Sequence, residues 1–428
     1  MPNSGTTTTS TNNKKELALN HTPVGKALDS FLTLYARSSH TLQSEYVNIE
    51  NALDRVLETD FSSPRDIPPF NRSSMDGYAV VASSIKGCTH NNPVLLDLIG
   101  EITAGEVAAY KVNPGQAIKI STGAPMPGGA DAVVMVEYTS RINNKVRVFK
   151  EAEVGWNITF KGEDVKEGQI LLRKGTWLKP HDIGIIASVG IKKVKVFKRP
   201  QVALFSTGDE LIEPGEDIRS AAVFESNRYM LSGLISECGG QPIDLGICKD
   251  DQDSIRSKLK ESLNYDVVLI SGGSSVGEKD FVPNLIDSEG KPGIIVHGVS
   301  MKPGSPTALG IVNGKPVISA PGYPVSAFFA FQTFGKPLIY YMLKTSGRPE
   351  PKIFAKLQKR IKLHEGMRSF VRVKLVKKSN NTFIAEPISA SGGSILSTLA
   401  MSDGVIVVDN KKQLRKGQKV EVILFRNA

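Results

Sequence analysis

Val202-Ala203-Leu204-Phe205-Ser206-Thr207-Gly208-Asp209-Glu210-Leu211 is an apolar run that ends in small polar residues, a glycine and two carboxylates. It reads as a buried strand over Val202 to Ser206, with the glycine marking the exit of the chain. The pattern then repeats: a helix near Ser226 to Glu237, a strand from Pro242 to Ile247, a helix near Ser254 to Leu263, a strand from Val267 to Ile270. This alternation predicts an α/β domain with a mostly parallel sheet. Met230, Leu231, Leu234, Ile235 and Cys238 share one helix face, which is core packing. A long apolar helix after Pro324, through Phe328, Phe329, Phe331 and Leu338, closes the domain near Leu343.

Open sheets of this kind bind ligands beyond the C-terminal ends of their strands. Three loops fall there: Thr207-Gly208-Asp209-Glu210, Lys249-Asp250-Asp251 and Ser271-Gly272-Gly273-Ser274-Ser275-Val276-Gly277. Glycines and small hydroxyls in the third expose backbone N–H groups suited to phosphate, which makes Gly272, Gly273 and Ser275 substrate-binding candidates. Carboxylates around a phosphate repel it unless a hard cation intervenes, and aspartate oxygens suit Mg²⁺. Asp280 and Asp250 are the metal candidates, whereas Asp209 reads as a turn cap. Lys302, framed by Pro303 and Gly304, is a held cation suited to an oxyanion.

Outward from this domain the chain changes character. Residues 347–428 carry seventeen Lys/Arg and six Asp/Glu, so this segment of alternating strands holds +11 of a total of +10, and the remainder sums to −1. A basic rim facing an anionic ligand fits this better than nucleic-acid binding. No apolar run approaches the eighteen or so residues of a spanning helix, and no signal peptide is visible, so a cytoplasmic protein without membrane partners is expected. Cys88, Cys238 and Cys248 are odd in number and far apart, which predicts buried free thiols.

Residues 1 to about 20 are rich in Thr, Ser and Asn and read as a disordered tail. Thr22 or a neighbour caps a helix in which Val24, Ala27, Leu28, Phe31, Leu32 and Tyr35 recur, and a second short helix is expected from Asn51 to Thr59. Short strands and Gly/Pro/Asn turns run from Tyr78 to about Val154, as an all-β module shows. A helix follows from His181 to Val189. At the head of the β module stands Pro68-Pro69-Phe70-Asn71-Arg72-Ser73-Ser74-Met75-Asp76-Gly77-Tyr78-Ala79-Val80. Its prolines set an extended entry, its serines bond the turn, and Gly77 permits a left-handed or close-approach geometry beside the single carboxylate of Asp76.

That string, with Ile120-Ser121-Thr122-Gly123-Ala124-Pro125-Met126-Pro127-Gly128-Gly129-Ala130-Asp131, Phe205 to Leu211, Ser271 to Asp280, Met301 to Gly304 and Pro321 to Ala327, resembles the molybdopterin molybdenumtransferase family. These are MoeA-like proteins that include the gephyrin E domain, and the resemblance runs from about Thr22 to the C-terminus. It implies a multidomain α/β and β fold. A central α/β molybdopterin-binding domain (196–346) would be joined by a β-rich insertion module (66–155), a discontinuous elongated N-terminal domain (21–65 plus 156–195) and a small β-barrel-like C-terminal domain (347–428). The implied activity is Mg²⁺-dependent insertion of molybdate into adenylylated molybdopterin with release of AMP. The implied assembly is a homodimer with a composite active site, with other cofactor-synthesis enzymes as further partners.

Carried over residue by residue, the resemblance makes Asp76, Thr122, Asp164, Glu210 and Asp280 catalytic candidates. Lys302, Ser305, Arg368 and Ser394 become substrate-binding ones, and Arg372, four residues on, equally suits the role of Arg368. Two positions depart from the family pattern: Thr159 and Ser305 stand where cations are usual, and Lys161 is a possible substitute for one of them. A diverged paralogue that handles tungstate or binds pterin without turnover, and a gephyrin-like scaffold, are the rival readings.

Overall fold

The computed structural model describes residues 20–38, 41–107, 109–218, 221–272, 281–378, 382–388 and 393–426. The expected disordered tail, apart from Asn20, lies outside them, as do Gly273, Ser275 and Asp280. The chain forms two compact units, one of residues 47–53 and 59–194, the other drawn from 1–46, 54–58 and 195–428.

Helix α1, Val24–Arg37, belongs to the second unit and buries Val24, Ala27, Phe31 and Tyr35, one stripe of its surface. Residues 21–65 are therefore divided between the two units. Pro23 holds the cap position without a side-chain bond, and the Thr22 hydroxyl turns back to the Asn20 carbonyl at 3.3 Å. The helix expected from Asn51 to Thr59 does not form. A 3₁₀ turn covers Ile49–Asn51, after which Asp54 adopts φ 59°, a left-handed conformation that a right-handed helix cannot contain.

The first unit is built on a six-stranded sheet. In chain order, β1 is Arg72–Ser73, β2 Gly77–Val80, β3 Val94–Ile102, β4 Gln116–Ile120, β5 Ala132–Met135, β6 Thr139–Ile142, β7 Lys145–Val148 and β8 Ile158–Thr159. The sheet order is β5-β2-β4-β3-β7-β6, and only β3 with β4 is parallel. The short β1 and β8 pair with each other outside it. Both faces of the sheet are covered: Tyr78, Val80 and Val134 join one core, Ala79, Ile118 and Val133 the other. Consequently β2 is buried at all four positions. Helix α2, Pro180–Ser188, forms where a helix was expected, its first turn held by Asp182 accepting from the Lys179 N–H at 2.8 Å.

The second unit carries the α/β sheet. Its elements are β9 (Gln201–Thr207), α3 (Asn227–Glu237), β10 (Gln241–Cys248), α4 (Gln252–Ser262), β11 (Val267–Ser271), α5 (Phe281–Ser288), β12 (Pro292–His297), β13 (Met301–Lys302), β14 (Ala308–Val312) and β15 (Lys315–Ala320). The order β10-β9-β11-β15-β14-β12 is parallel through its first four strands and antiparallel at the last two. Phe205, Val268 and Ile270 pack against Ile255 and Leu259 of α4 and Val282 and Ile286 of α5. The closing helix is continuous but not uniform: α6 (Pro324–Ala330) passes through a π turn at Phe331–Gly335 into α7 (Lys336–Met342). Cys88, Cys238 and Cys248 are free and buried, and burial pushes the last two thiols up to about 11.

The C-terminal strands β16 (Lys352–Leu357), β17 (Arg368–Lys377), β18 (Phe383–Pro387), β19 (Gly404–Asp409) and β20 (Lys419–Leu424) close on themselves through a β17–β19 pairing. Leu357, Val373, Ala385, Ile406 and Val422 fill the small barrel. β13, contributed by the connection from β12 to β14, adds to its edge and runs parallel to β17.

Candidate active site

In the first unit the opening motif is a tightly bonded turn. Ser73 Oγ donates to the Met75 carbonyl and accepts from the Met75 N–H, which sets up the turn that presents Asp76. One Asp76 carboxylate oxygen accepts from the Thr122 N–H at 2.7 Å and from the Thr122 hydroxyl at 3.0 Å. These two bonds, the backbone one first, hold the carboxyl below its ordinary value, so it is ionised throughout the neutral range. Two catalytic candidates forty-six residues apart are thus one hydrogen-bonded pair. A Thr122→Val variant keeps the backbone donor and loses the hydroxyl. The Asp76 titration, followed by carboxyl NMR, is expected to move up yet stay below the ordinary aspartate value.

Gly77 shows why this position is glycine. Its φ is not among the positive ones, but a Cβ there would stand 2.0 Å from the Val134 carbonyl oxygen of β5. Close approach is therefore the operative demand, and left-handedness is not.

Asp164 comes beside the same motif through backbone bonds. Its N–H donates to the Ile67 carbonyl at 3.0 Å, and the Gly162 N–H donates to the Pro68 carbonyl at 3.0 Å. Thr159, where the family pattern has a cation, is paired in register with Arg72. Directly opposed residues of an antiparallel pair share a face, so the Arg72 and Thr159 side chains leave the two strands on the same side. The Lys161 ammonium, considered as a substitute, is 3.4 Å from the Asp66 carboxylate.

In the second unit two of the three strand-end loops are joined, and the third lies outside the described residues beyond Gly272. Asp209 accepts from the Asp250 N–H at 3.1 Å, which ties the loops after β9 and β10 together. The Gly208 backbone lies against the exposed Glu210 carboxylate: a Cβ there would be 2.8 Å from it. Asp251 caps α4, accepting from the Ser254 N–H and hydroxyl at 2.9 and 2.7 Å, and these bonds lower its pKa. At the end of β11, Gly272 is pressed so close to Thr207 that a Cβ would sit 2.4 Å from the Thr207 hydroxyl. Asp280 falls outside the described residues, among which no group of three or more His, Cys, Asp or Glu is placed to hold a metal ion.

Lys302 is exposed and carried on β13, where it lies opposite Ser369, with Met301 opposite Arg368. Gly304 after it has φ 110°, and a Cβ would meet the Met301 side chain at 2.5 Å. Ser305 Oγ lies 3.0 Å from His21 Nδ1, so the second departure is filled by an imidazole from the chain ahead of α1. Arg368 is not an open cation. Its Nε and Nη2 form a bidentate pair with Asp409 at 2.7 and 2.9 Å, and that guanidinium draws the Asp409 carboxyl down. Arg372, the other choice for that role, is 6 % exposed, and burial draws its guanidinium down. Ser394 follows Gly393, whose carbonyl accepts from the Val325 N–H at the start of α6 at 2.9 Å.

Because Asp409 is depressed in the folded protein, the pair's contribution is complete above about pH 4 and fades as the pH falls through the lowered value. Its members are 30 and 57 % exposed, so solvent screening limits it to about 0.2–1 kcal/mol. An Asp409→Asn variant is expected to lose that amount in urea unfolding at pH 7, to lose less on acidification than the parent, and to leave Arg368 open to anions.

Sequence reasoning missed several residues. Asp409 lies forty-one positions from Arg368, and no periodicity links them. Asn227 and Arg228, at the start of α3, are 6 and 2 % exposed, and the guanidinium pairs with Asp244 and Glu213. Two polar residues opening a helix gave no local sign of burial.

Comparison with known proteins adds the relationships. Three family descriptions match in order: the MoeA N-terminal region, domains I and II, over residues 22–190, a molybdopterin binding domain over 203–341, and the MoeA C-terminal region, domain IV, over 355–425. Molybdopterin molybdenumtransferase of Bacillus subtilis is 31% identical over 390 residues, 90% of this chain and 90% of that protein. The protein of the same name from Nostoc is 33% identical over 351 residues, 80% of each. A crystal structure of the molybdopterin biosynthesis MoeA protein of Pyrococcus horikoshii superposes with a TM-score of 0.81 at 34% identity, covering 95% of this chain and all of that one.

Proposed function

The chain belongs to the molybdopterin molybdenumtransferase (MoeA) family, and from that premise we propose that it inserts molybdate into adenylylated molybdopterin and releases AMP. The observation that carries the reading is the rim at the strand ends. There Asp209 joins the loops after β9 and β10, and Gly272 lets the end of β11 pack directly on Thr207 at the end of β9. Molybdate is substrate here, and an exposed Lys302 on a braced strand is a suitable partner for it.

Glu210 and Asp250 offer hard oxygen donors on neighbouring loops, a donor set that fits Mg²⁺, and Asp280 would complete it. When bound, Mg²⁺ neutralises charge on the pyrophosphate and on the departing phosphate. The chain's own residues hold and orient. The rim at Gly272 receives the phosphates, Lys302 holds the oxyanion, and Asp76, fixed in its ionised form by Thr122, orients or accepts a proton.

The protein acts as a homodimer in the cytoplasm. Asp76, Thr122 and Asp164 of one copy complete the site formed by Asp280, Lys302, Arg368 and Ser394 of the other. No helix among the described residues is long and apolar enough to cross a membrane. The test is to mix the purified protein with adenylylated molybdopterin, Mg²⁺ and molybdate, then follow AMP and active cofactor. Mg²⁺-dependent release of AMP is expected, reduced about 100-fold in an Asp280→Ala variant. No release with molybdate would sink the proposal, and release with tungstate alone would assign a tungsten paralogue.

A further inference from the structure

The chain ahead of α1 is stitched to the loop that carries Lys302. The Asn20 and Thr22 N–H groups donate to the His297 and Gly298 carbonyls at 2.8 and 3.1 Å, and the Ser300 N–H donates to the Thr22 carbonyl at 2.8 Å. The Ser300 hydroxyl donates to the His21 carbonyl at 2.9 Å. His21 is therefore fixed by bonds on both sides of it, and its exposed ring meets Ser305 Oγ with Nδ1 at 3.0 Å. The Val299 N–H donates to the Ser305 carbonyl at 2.8 Å, which closes residues 299–305 into one loop. Lys302 stands on that loop three positions before Ser305.

A hydroxyl and an imidazole bonded to each other leave a donor facing away from their bond in every protonation pattern. If the Ser305 O–H donates to Nδ1, the neutral ring carries its proton on Nε2, and that N–H is left over. If Nδ1–H donates to Ser305 Oγ, the hydroxyl proton is left over, and a protonated ring leaves both. The pair thus suits a ligand made of acceptors. The Lys302 ammonium adds positive charge to the same loop on a flexible four-carbon stem. Arg368 borders the loop, its N–H donating to the Ser300 carbonyl at 2.8 Å, but it directs Nε and Nη2 to Asp409.

We propose that His21 is an oxyanion-binding residue: paired with Ser305 and beside Lys302, it donates to a tetrahedral oxyanion. That this anion is a reactant rests on the function proposed above. Molybdate and a phosphate of the pterin nucleotide share this chemistry, and molybdate is the one expected, since Lys302 is its partner there.

The test compares the parent with His21→Ala, Ser305→Ala and His21→Ala/Ser305→Lys. Molybdate alone is titrated into each full chain by calorimetry, and the half-saturating concentrations of molybdate and of adenylylated molybdopterin are measured in AMP release. His21→Ala is expected to weaken molybdate about tenfold in both measurements, the size of one lost hydrogen bond to a charged group. Half-saturation by adenylylated molybdopterin should stay within about twofold, and a rise there with molybdate unchanged would assign the pair to the nucleotide's phosphate. The lysine variant brings its own ammonium to the loop, so it should recover anion binding to within about threefold of the parent. A role confined to pinning the chain ahead of α1 gives no such recovery.

Half-saturation by both reactants within twofold of the parent in His21→Ala would overturn the proposal, as would a lysine variant no better than His21→Ala. If the parent releases no AMP while His21→Ala still weakens molybdate in calorimetry, the functional reading falls and the oxyanion site stands.

Discussion

Asp76→Ala is expected to fold as the parent does and to cut AMP release about 100-fold or more, the loss seen when one preorganised charged group leaves a reacting centre. The carboxylate is exposed, and among the described residues its hydrogen bonds run to Thr122 alone, so the core does not depend on it. Circular dichroism and the thermal midpoint should match the parent. The same variant tests the assembly. If Asp76 of one copy serves the site built around Asp280 of the other, mixing Asp76→Ala with Asp280→Ala subunits restores activity that neither has alone. Activity within threefold of the parent would remove Asp76 from the site, and a failure of mixed subunits to recover would confine the site to one chain.

The neighbouring residue gives the opposite kind of result. Gly77→Ala should leave the chemistry's groups in place and lower the thermal midpoint by about 6–12 °C. A Cβ 2.0 Å from the Val134 carbonyl cannot be absorbed by a side-chain rotation, because the atom it meets is backbone of the adjacent strand. Either β2 separates from β5 or both bend, an overpacking cost of about 3 kcal/mol, worth about 2–4 °C each in a unit of this size. An unchanged midpoint would mean that the two strands have slack that the burial of all four β2 residues argues against.

The α/β sheet was legible because each of its strands is a short apolar run and each helix has its own periodic stripe, so local pattern and fold agree. Helices α3 and α4 and strands β9 to β11 fall within a residue or two of their expected limits. The absent helix over Asn51 to Thr59 shows the limit of pattern. Its apolar residues Val56 and Leu57 are buried as expected of core, but Leu57 bridges to Val196 and Asp54 turns left-handed, so long-range pairing overrode the local period.

The candidate site divides in the same way. Positions defined by turn chemistry, such as Asp76 and Gly77 or Thr207 to Glu210, could be named from the chain alone. Pairings such as Arg368 with Asp409, Arg72 with Thr159 or His21 with Ser305 join distant segments whose types carry no mutual signal. Resemblance located Arg368 and Ser305, and only the fold shows what engages each of them.

The parallel pairing of β13 with β17 has a practical consequence for handling this protein. A fragment ending near residue 346, cut to isolate the α/β domain, would lose β17, the strand with which Met301 and Lys302 pair, and leave their N–H and C=O groups as a bare edge. Such edges template the association of further chains, so the fragment is expected to aggregate or to misplace Lys302. The reciprocal fragment, from about 347 onward, keeps a closed barrel and should stay in solution.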